Sequence, residues 1–271
     1  MSVAVREWSV RYRAHNGLPR PAIVLVPRVY GPNRPSPPLP LVISPHGRGV
    51  RPLLNARLWG DLPAQGGFAV VAPGGMGRRL PLHSWGYPRQ IDDLARMPSI
   101  VHATLPWLRV DPKRIYALGG SMGGHETLLL LGQHPQLLAG AVAFDSVTNF
   151  LRRYRDFGST PSTRGLQVLA RLEVGGTPET NPTGYVLRSP THWLDAIARS
   201  GVPLQIWWSL ADAIVVDQIH QSAHFYDELR SRKPKGKLSA VTGYWRHSAE
   251  MRHDTQLPDA VRWLGLLDDP R

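Results

Sequence analysis

Ser121 is the residue whose neighbours most favour chemistry. It lies in Gly119-Gly120-Ser121-Met122-Gly123-Gly124, a Gly-x-Ser-x-Gly spacing, with apolar Ile115 to Leu118 before it and a leucine-rich stretch after it. That pattern predicts a strand, a sharp turn carrying the serine, and a helix over Glu126 to about His134. Gly119 and Gly123 are small where strand and helix backbones must approach closely. The helix points its N-terminus at the serine, and its dipole favours negative charge developing there. The chemistry such a serine performs is nucleophilic attack on an acyl carbon.

A neutral hydroxyl is a weak nucleophile. It needs a base, and the base needs an acid to orient it. In α/β-hydrolases, whose serine turn this spacing resembles, the acid and then the histidine follow the serine in chain order. Asp212 is the acid candidate, because a buried strand over Pro203–Ser209 leads into it, and sites in open α/β sheets lie at the C-terminal ends of the strands. Asp145, after a strand over Leu138–Phe144, is an alternative, and so is Asp217, which suits better the N-cap of a helix over Asp217–Arg232. His247 and His253 both lie between the last strand and the last helix. His247 is preferred as the base, and His253 reads as a cap or surface residue. The N–H of Met122 is one oxyanion donor by position, and the second is expected near Gly47 and Arg48 in His46-Gly47-Arg48-Gly49. His46 reads as holding that loop by hydrogen bonds. Trp85 and Tyr87, in His83-Ser84-Trp85-Gly86-Tyr87, either line a substrate pocket or pack the surface.

The elements that position these groups alternate. Val3–Tyr12 and Ala22–Val29 suggest opening strands, followed by a proline-rich connection over Gly31–Pro40. Leu41–Ser44 and Phe68–Ala72 are short buried strands, with a helix expected over Asn55–Gln65 between them. Ile91–Leu108 reads as a helix interrupted by Pro98 and Pro106. Residues 150–189 are irregular and arginine-rich, and are read as a cap or lid inserted over the sheet. Afterwards come a helix His192–Arg199, the Asp212 strand, the helix from Asp217, a strand Leu238–Val241 and a helix Leu257–Leu267. Strand–helix alternation argues an α/β fold, a mostly parallel sheet with helices on both faces. The 271 residues are taken as one domain, 1–271, with that insertion.

Composition removes several classes. There is no cysteine, so disulfides and thiolate chemistry are excluded. No apolar run is long enough to span a bilayer, and Met1–Val10 lacks the apolar core of a secretory signal, so a cytoplasmic location is expected. The net charge is +12, and all but four of the 32 lysines and arginines are arginine. These are scattered along the chain rather than gathered in a nucleic-acid-binding motif, so no nucleic-acid partner is expected. His220 and His224 are four apart, yet no glutamate between them and no third ligand completes a site, so no metal is expected. Nothing in the composition sets the oligomeric state.

Residues 110–124, Val-Asp-Pro-Lys-Arg-Ile-Tyr-Ala-Leu-Gly-Gly-Ser-Met-Gly-Gly, resemble the nucleophile elbow of the α/β-hydrolase superfamily. They are similar both to the prolyl-oligopeptidase-like and dienelactone-hydrolase-like group and to esterases of the feruloyl-esterase and polyhydroxybutyrate-depolymerase kind. Ser189-Pro190-Thr191 leading to Val202-Pro203 also resembles the first group, and Asp92-Asp93 the second. The likeness extends over about Val3 to Leu267. It implies a Ser–Asp–His hydrolase acting through an acyl-enzyme on a small-molecule ester, without a cofactor. A small peptidase or amidase and a non-hydrolytic member of the fold are the alternatives. Three departures stand out. Arg246 replaces the usual glycine before the histidine, Arg48 stands where many relatives have glycine, and 271 residues leave no room for the β-propeller of true prolyl oligopeptidases.

Overall fold

The computed structural model describes residues 4–269. The chain opens with an antiparallel pair, β1 (Val5–Arg13) and β2 (Pro19–Pro27). The proposed start of β1 at Val3 lies outside the described residues. Six further strands follow: β3 (Leu39–Ile43), β4 (Ala69–Pro73), β5 (Val110–Gly120), β6 (Gly140–Phe144), β7 (Leu204–Ser209) and β8 (Leu238–Gly243). They form one eight-stranded sheet in the order β1-β2-β4-β3-β5-β6-β7-β8. Only the β1–β2 and β2–β4 pairs are antiparallel.

The central strands read as unbroken apolar runs because both sheet faces are covered. Alternate residues of each strand feed different cores. Leu41, Ile43, Ala69 and Val71 join the layer under α3 (Pro88–Ala95), α4 (Met97–Thr104), α5 (Met122–Gln133), α9 (Leu194–Ser200) and α10 (His224–Ser231). Val42, Val70, Ala72 and Leu118 join the opposite layer, covered by α1 (Pro52–Arg57), α2 (Leu62–Gly66) and α11 (Leu257–Trp263).

Several expected helices are divided, each for a local reason. The one expected over Asn55–Gln65 becomes α1 and α2, separated at Gly60, whose φ of +51° bends the chain. The one expected over Ile91–Leu108 becomes α3 and α4, because Pro98 can occupy only a first turn. The helix expected from Asp217 starts as a π-helical turn (Ile219–Ala223) before α10. Asp217 is not its side-chain cap. It has a φ of +64°, and its carboxylate pairs with Arg152 and with His220 at 2.7 Å.

Residues 150–189 are largely helical rather than irregular: α6 (Phe150–Gly158), α7 (Arg164–Val174) and α8 (Pro182–Val186). Phe150, Arg153, Tyr154 and Phe157 are the buried residues of α6, a clean helical stripe hidden in the sequence by the arginine within it. The segment has its own apolar cluster, in which Phe150, Phe157 and Tyr185 pack with Trp85 and Met122.

Candidate active site

β5 and α5 meet at Ser121, whose backbone has φ 58° and ψ −123°, a conformation that L-residues rarely adopt. Its N–H donates to the Phe144 carbonyl at 2.8 Å and its carbonyl accepts from His125 N–H at 3.0 Å. The turn is thus tied both to β6 and to the helix it opens. The flanking glycines are steric necessities. A Cβ on Gly119 would lie 2.5 Å from the Gly123 carbonyl carbon, and one on Gly123 would lie 2.2 Å from the Pro45 oxygen.

Asp212 lies just beyond β7, as expected, and Asp212 Oδ2 lies 2.8 Å from His247 Nδ1. Its carboxylate also accepts from Ile214 N–H at 2.8 Å, Val215 N–H at 3.0 Å and Gln218 Nε2 at 3.0 Å. Burial opposes its charge, but His247 and these donors hold its carboxyl below the usual aspartate value. Asp145 is 3.9 Å from the same nitrogen, and its oxygens are otherwise engaged. They accept from Ser209 N–H at 2.7 Å, Ser248 N–H at 2.8 Å and Trp245 Nε1 at 3.3 Å. Burial and the neighbouring Asp212 charge push Asp145 up. Asp145 therefore ties the end of β7 to the loop that carries His247. Asp145, Asp212 and His247 put potential ligand atoms within 4.8 Å of one another. Their oxygens are already met by N–H donors, the pattern of a hydrogen-bonded relay rather than of a metal cage.

Ser121 and His247 both line a cavity of about 210 Å³, with Gly47, Arg48, Ile214 and Met251 among its other walls. A Cβ on Gly47 would lie 3.9 Å from the Ser121 Cβ, so the loop after β3 closes directly over the serine. His46 Nδ1 donates to the Gly47 carbonyl at 2.7 Å and Nε2 accepts from Gly75 N–H at 3.0 Å. Complete burial lowers His46 to about 4, which keeps this neutral tautomer and fixes the loop. Met122 N–H is the first of α5, where no intrahelical carbonyl can meet it.

His253 is not brought to this cavity. Its N–H donates to the Leu58 carbonyl at 2.7 Å, and its ring lies against Gly60 in a separate 760 Å³ cavity. Trp85 and Tyr87 also lie elsewhere. Trp85 is buried beside Phe150 and Phe157, and Tyr87 stacks on Arg188 at 5.1 Å. Their place is set by packing between the 83–87 loop and the inserted helices. His220 and His224 line a surface cavity with Arg152 and Arg155, where His220 is held by Asp217.

Two buried glutamates had no catalytic signal in the sequence. Burial raises Glu126 to about 8, against opposing contacts from Ser84 and Arg188. Burial, with the Asp145 charge, raises Glu250 to about 9. Each folded-state value lies above the usual 4.5, so the native state holds a proton that the unfolded chain releases. The stability this provides is complete below 4.5 and falls as pH rises towards 8 or 9. Glu250→Gln and Glu126→Gln are each expected to flatten the decline between pH ~5.5 and ~8 by up to roughly 1 kcal/mol per pH unit. Urea unfolding at the two pH values checks it; an unchanged slope in both variants would refute the assignment.

A family model described as the prolyl oligopeptidase family matches residues 90–260, more than half of the chain. The match takes in the elbow, Asp212 and His247. The chain belongs to the prolyl oligopeptidase family. As a prolyl oligopeptidase family member it is an enzyme of the serine hydrolase type. No curated protein matches it in sequence. Solved structures that resemble this family member include S-formylglutathione hydrolase FrmB from Staphylococcus aureus, at TM-score 0.69 and 19% identity, covering 96% of this chain and 98% of that one. FphF, a fluorophosphonate-binding serine hydrolase of the same organism, gives TM-score 0.71 and 18% identity over 97% and 99% of the chains. Puromycin hydrolase gives TM-score 0.72 and 19% identity, and there the chain spans 97% of itself but only 39% of the other. At such identities the likeness is one of fold, and it agrees with the mostly parallel α/β-hydrolase sheet. Among the described residues no helix is long and apolar enough to cross a membrane.

Proposed function

We propose that this hydrolase cleaves small carboxylic esters through an acyl-enzyme. The observation that carries the reading is the 2.8 Å contact between His247 Nδ1 and Asp212 Oδ2, with His247 and Ser121 on one cavity. Asp212 occupies Nδ1, which leaves Nε2 to take the Ser121 proton and return it to the leaving group. Ser121 Oγ attacks the acyl carbon. Met122 N–H and an N–H of Gly47 or Arg48 receive the oxyanion. Water then hydrolyses the acyl-enzyme by the same steps. A cavity of about 210 Å³ suits a small acyl group. Residues 150–189 act as a fixed cap behind it, since Arg153 donates to the carbonyl of Ile214, a wall residue.

A second reading, cleavage of amides, is favoured by the family itself and by neighbours such as dipeptidyl peptidase 4 of Porphyromonas gingivalis, of which the chain spans 35%. The ester reading draws on FrmB and on an esterase from Rhizomucor miehei, of which the chain spans 98% and 83%. Initial rates on matched p-nitrophenyl esters and aminoacyl p-nitroanilides, with Ser121→Ala as the blank, separate the two. Ester turnover lost in the variant is the expected result. Turnover confined to anilides would replace the ester reading with the amidase one.

A further inference from the structure

Arg48 is the outlier of the cavity. It stands on the loop after β3, half-buried, on the same walls as Ser121 and His247. No described residue accepts a hydrogen bond from its guanidinium, and no carboxylate lies within ion-pair distance of it. The orienting acid is committed. Asp212 already accepts from His247, Gln218 and two backbone N–H groups.

A second cation stands behind the same wall. Arg153, 6% exposed, donates to the Ile214 carbonyl and lies 4.4 Å over the Phe157 ring. It too has no carboxylate at ion-pair distance, although Asp156 and Asp212 offset part of its charge and the Arg48 charge opposes it. Burial alone disfavours the Arg48 charge. Arg48 thus carries a charge that no side chain of the site pairs at close range. A half-desolvated cation is costly unless an anion completes it. Beside it the walls are apolar: Val50, Leu58, Ile214 and Met251.

We propose that Arg48 receives a carboxylate of the substrate, so that the enzyme takes esters carrying a free carboxylate separated from the scissile group by an apolar spacer. The inference rests on the ester reading above. The planar guanidinium matches a carboxylate with two parallel hydrogen bonds, which a neutral ester cannot offer.

The test compares kcat/KM for isosteric pairs: mono-p-nitrophenyl adipate and suberate against their methyl esters, and p-acetoxybenzoate against methyl p-acetoxybenzoate. The first pairs carry the charge on the acyl side and the last on the leaving group. We expect the anionic member of at least one pair to be favoured about ten- to a hundredfold, the range of a charge-assisted hydrogen bond. The preference is expected to shrink with added salt and to vanish in Arg48→Met. The ratio within each pair is the readout, so a general loss of activity in the variant does not mimic the effect. No anionic preference in the native enzyme, or one that survives Arg48→Met, overturns the proposal while Ser121-dependent ester turnover stands. Equal loss on both members of each pair, with the ratio unchanged, would assign Arg48 to the oxyanion and overturn it as well. Failure to cleave any ester, charged or neutral, would remove the ester reading and this one with it.

Discussion

Replacing Ser121 with alanine is expected to lower kcat on an activated ester by about a millionfold, and Asp212→Asn by about ten thousandfold. The alanine removes the atom that forms the acyl-enzyme, so only binding and the oxyanion donors remain. The asparagine keeps the shape but presents an N–H or a weaker acceptor to His247 Nδ1, now 2.8 Å from a carboxylate oxygen. The imidazole then favours the tautomer that cannot accept the serine proton through Nε2. Asp145→Asn discriminates between the two acids. Asp145 is 3.9 Å from that nitrogen and serves three N–H donors of its surroundings. Its loss is expected to lower stability and to cost activity far less than Asp212→Asn. Single-turnover acylation rates of the three variants check the order. If Asp145→Asn proved as damaging to acylation as Asp212→Asn while remaining folded, the orienting role would belong to Asp145.

Arg188→Met is expected to destabilise the fold by about 3–5 kcal/mol, the usual cost of breaking a buried pair from one side. Glu173 on α7 is fully buried and accepts from the N–H groups of Arg78, Arg79 and Leu80. Arg188 lies 3.6 Å from Glu173 Oε1 and donates to the Ser84 carbonyl at 2.6 Å and the Trp85 carbonyl at 3.1 Å. Burial lowers Arg188 to about 10, with the Glu173 charge opposing, so it stays charged at neutral pH. Together the two side chains bolt residues 150–189 to the 78–85 loop. Without the guanidinium, the buried Glu173 carboxylate loses a partner and the Ser84 and Trp85 carbonyls lose a donor. A drop in melting temperature of about 6–20 °C would follow for a domain of this size. A change below about 1 kcal/mol would show the clamp to be dispensable, and the insertion free to move as a lid.

The glycine spacing around Ser121 was readable because backbone crowding forbids any Cβ there, and that constraint acts within a few residues. The central strands were equally plain, since a doubly covered strand must be apolar throughout. Helix ends were not, because Gly60 and Pro98 divide stretches whose apolar pattern continues across the break. The helices of 150–189 were missed because Arg153 occupies a buried position of α6.

The order of residues alone carries the serine on its turn, the α/β class and the short set of acids and histidines that could serve it. It could order those candidates but not measure between them. The folded arrangement alone puts Asp212 at 2.8 Å from His247 and Asp145 at 3.9 Å, and places His253 against Gly60 in the turn between α1 and α2. It also moved Trp85 and Tyr87 away from the cavity and left Arg48 on its wall without a partner. The reason is range. A turn is dictated by neighbouring residues, whereas a contact between residues 35 apart in the chain depends on where separate strands end in the sheet.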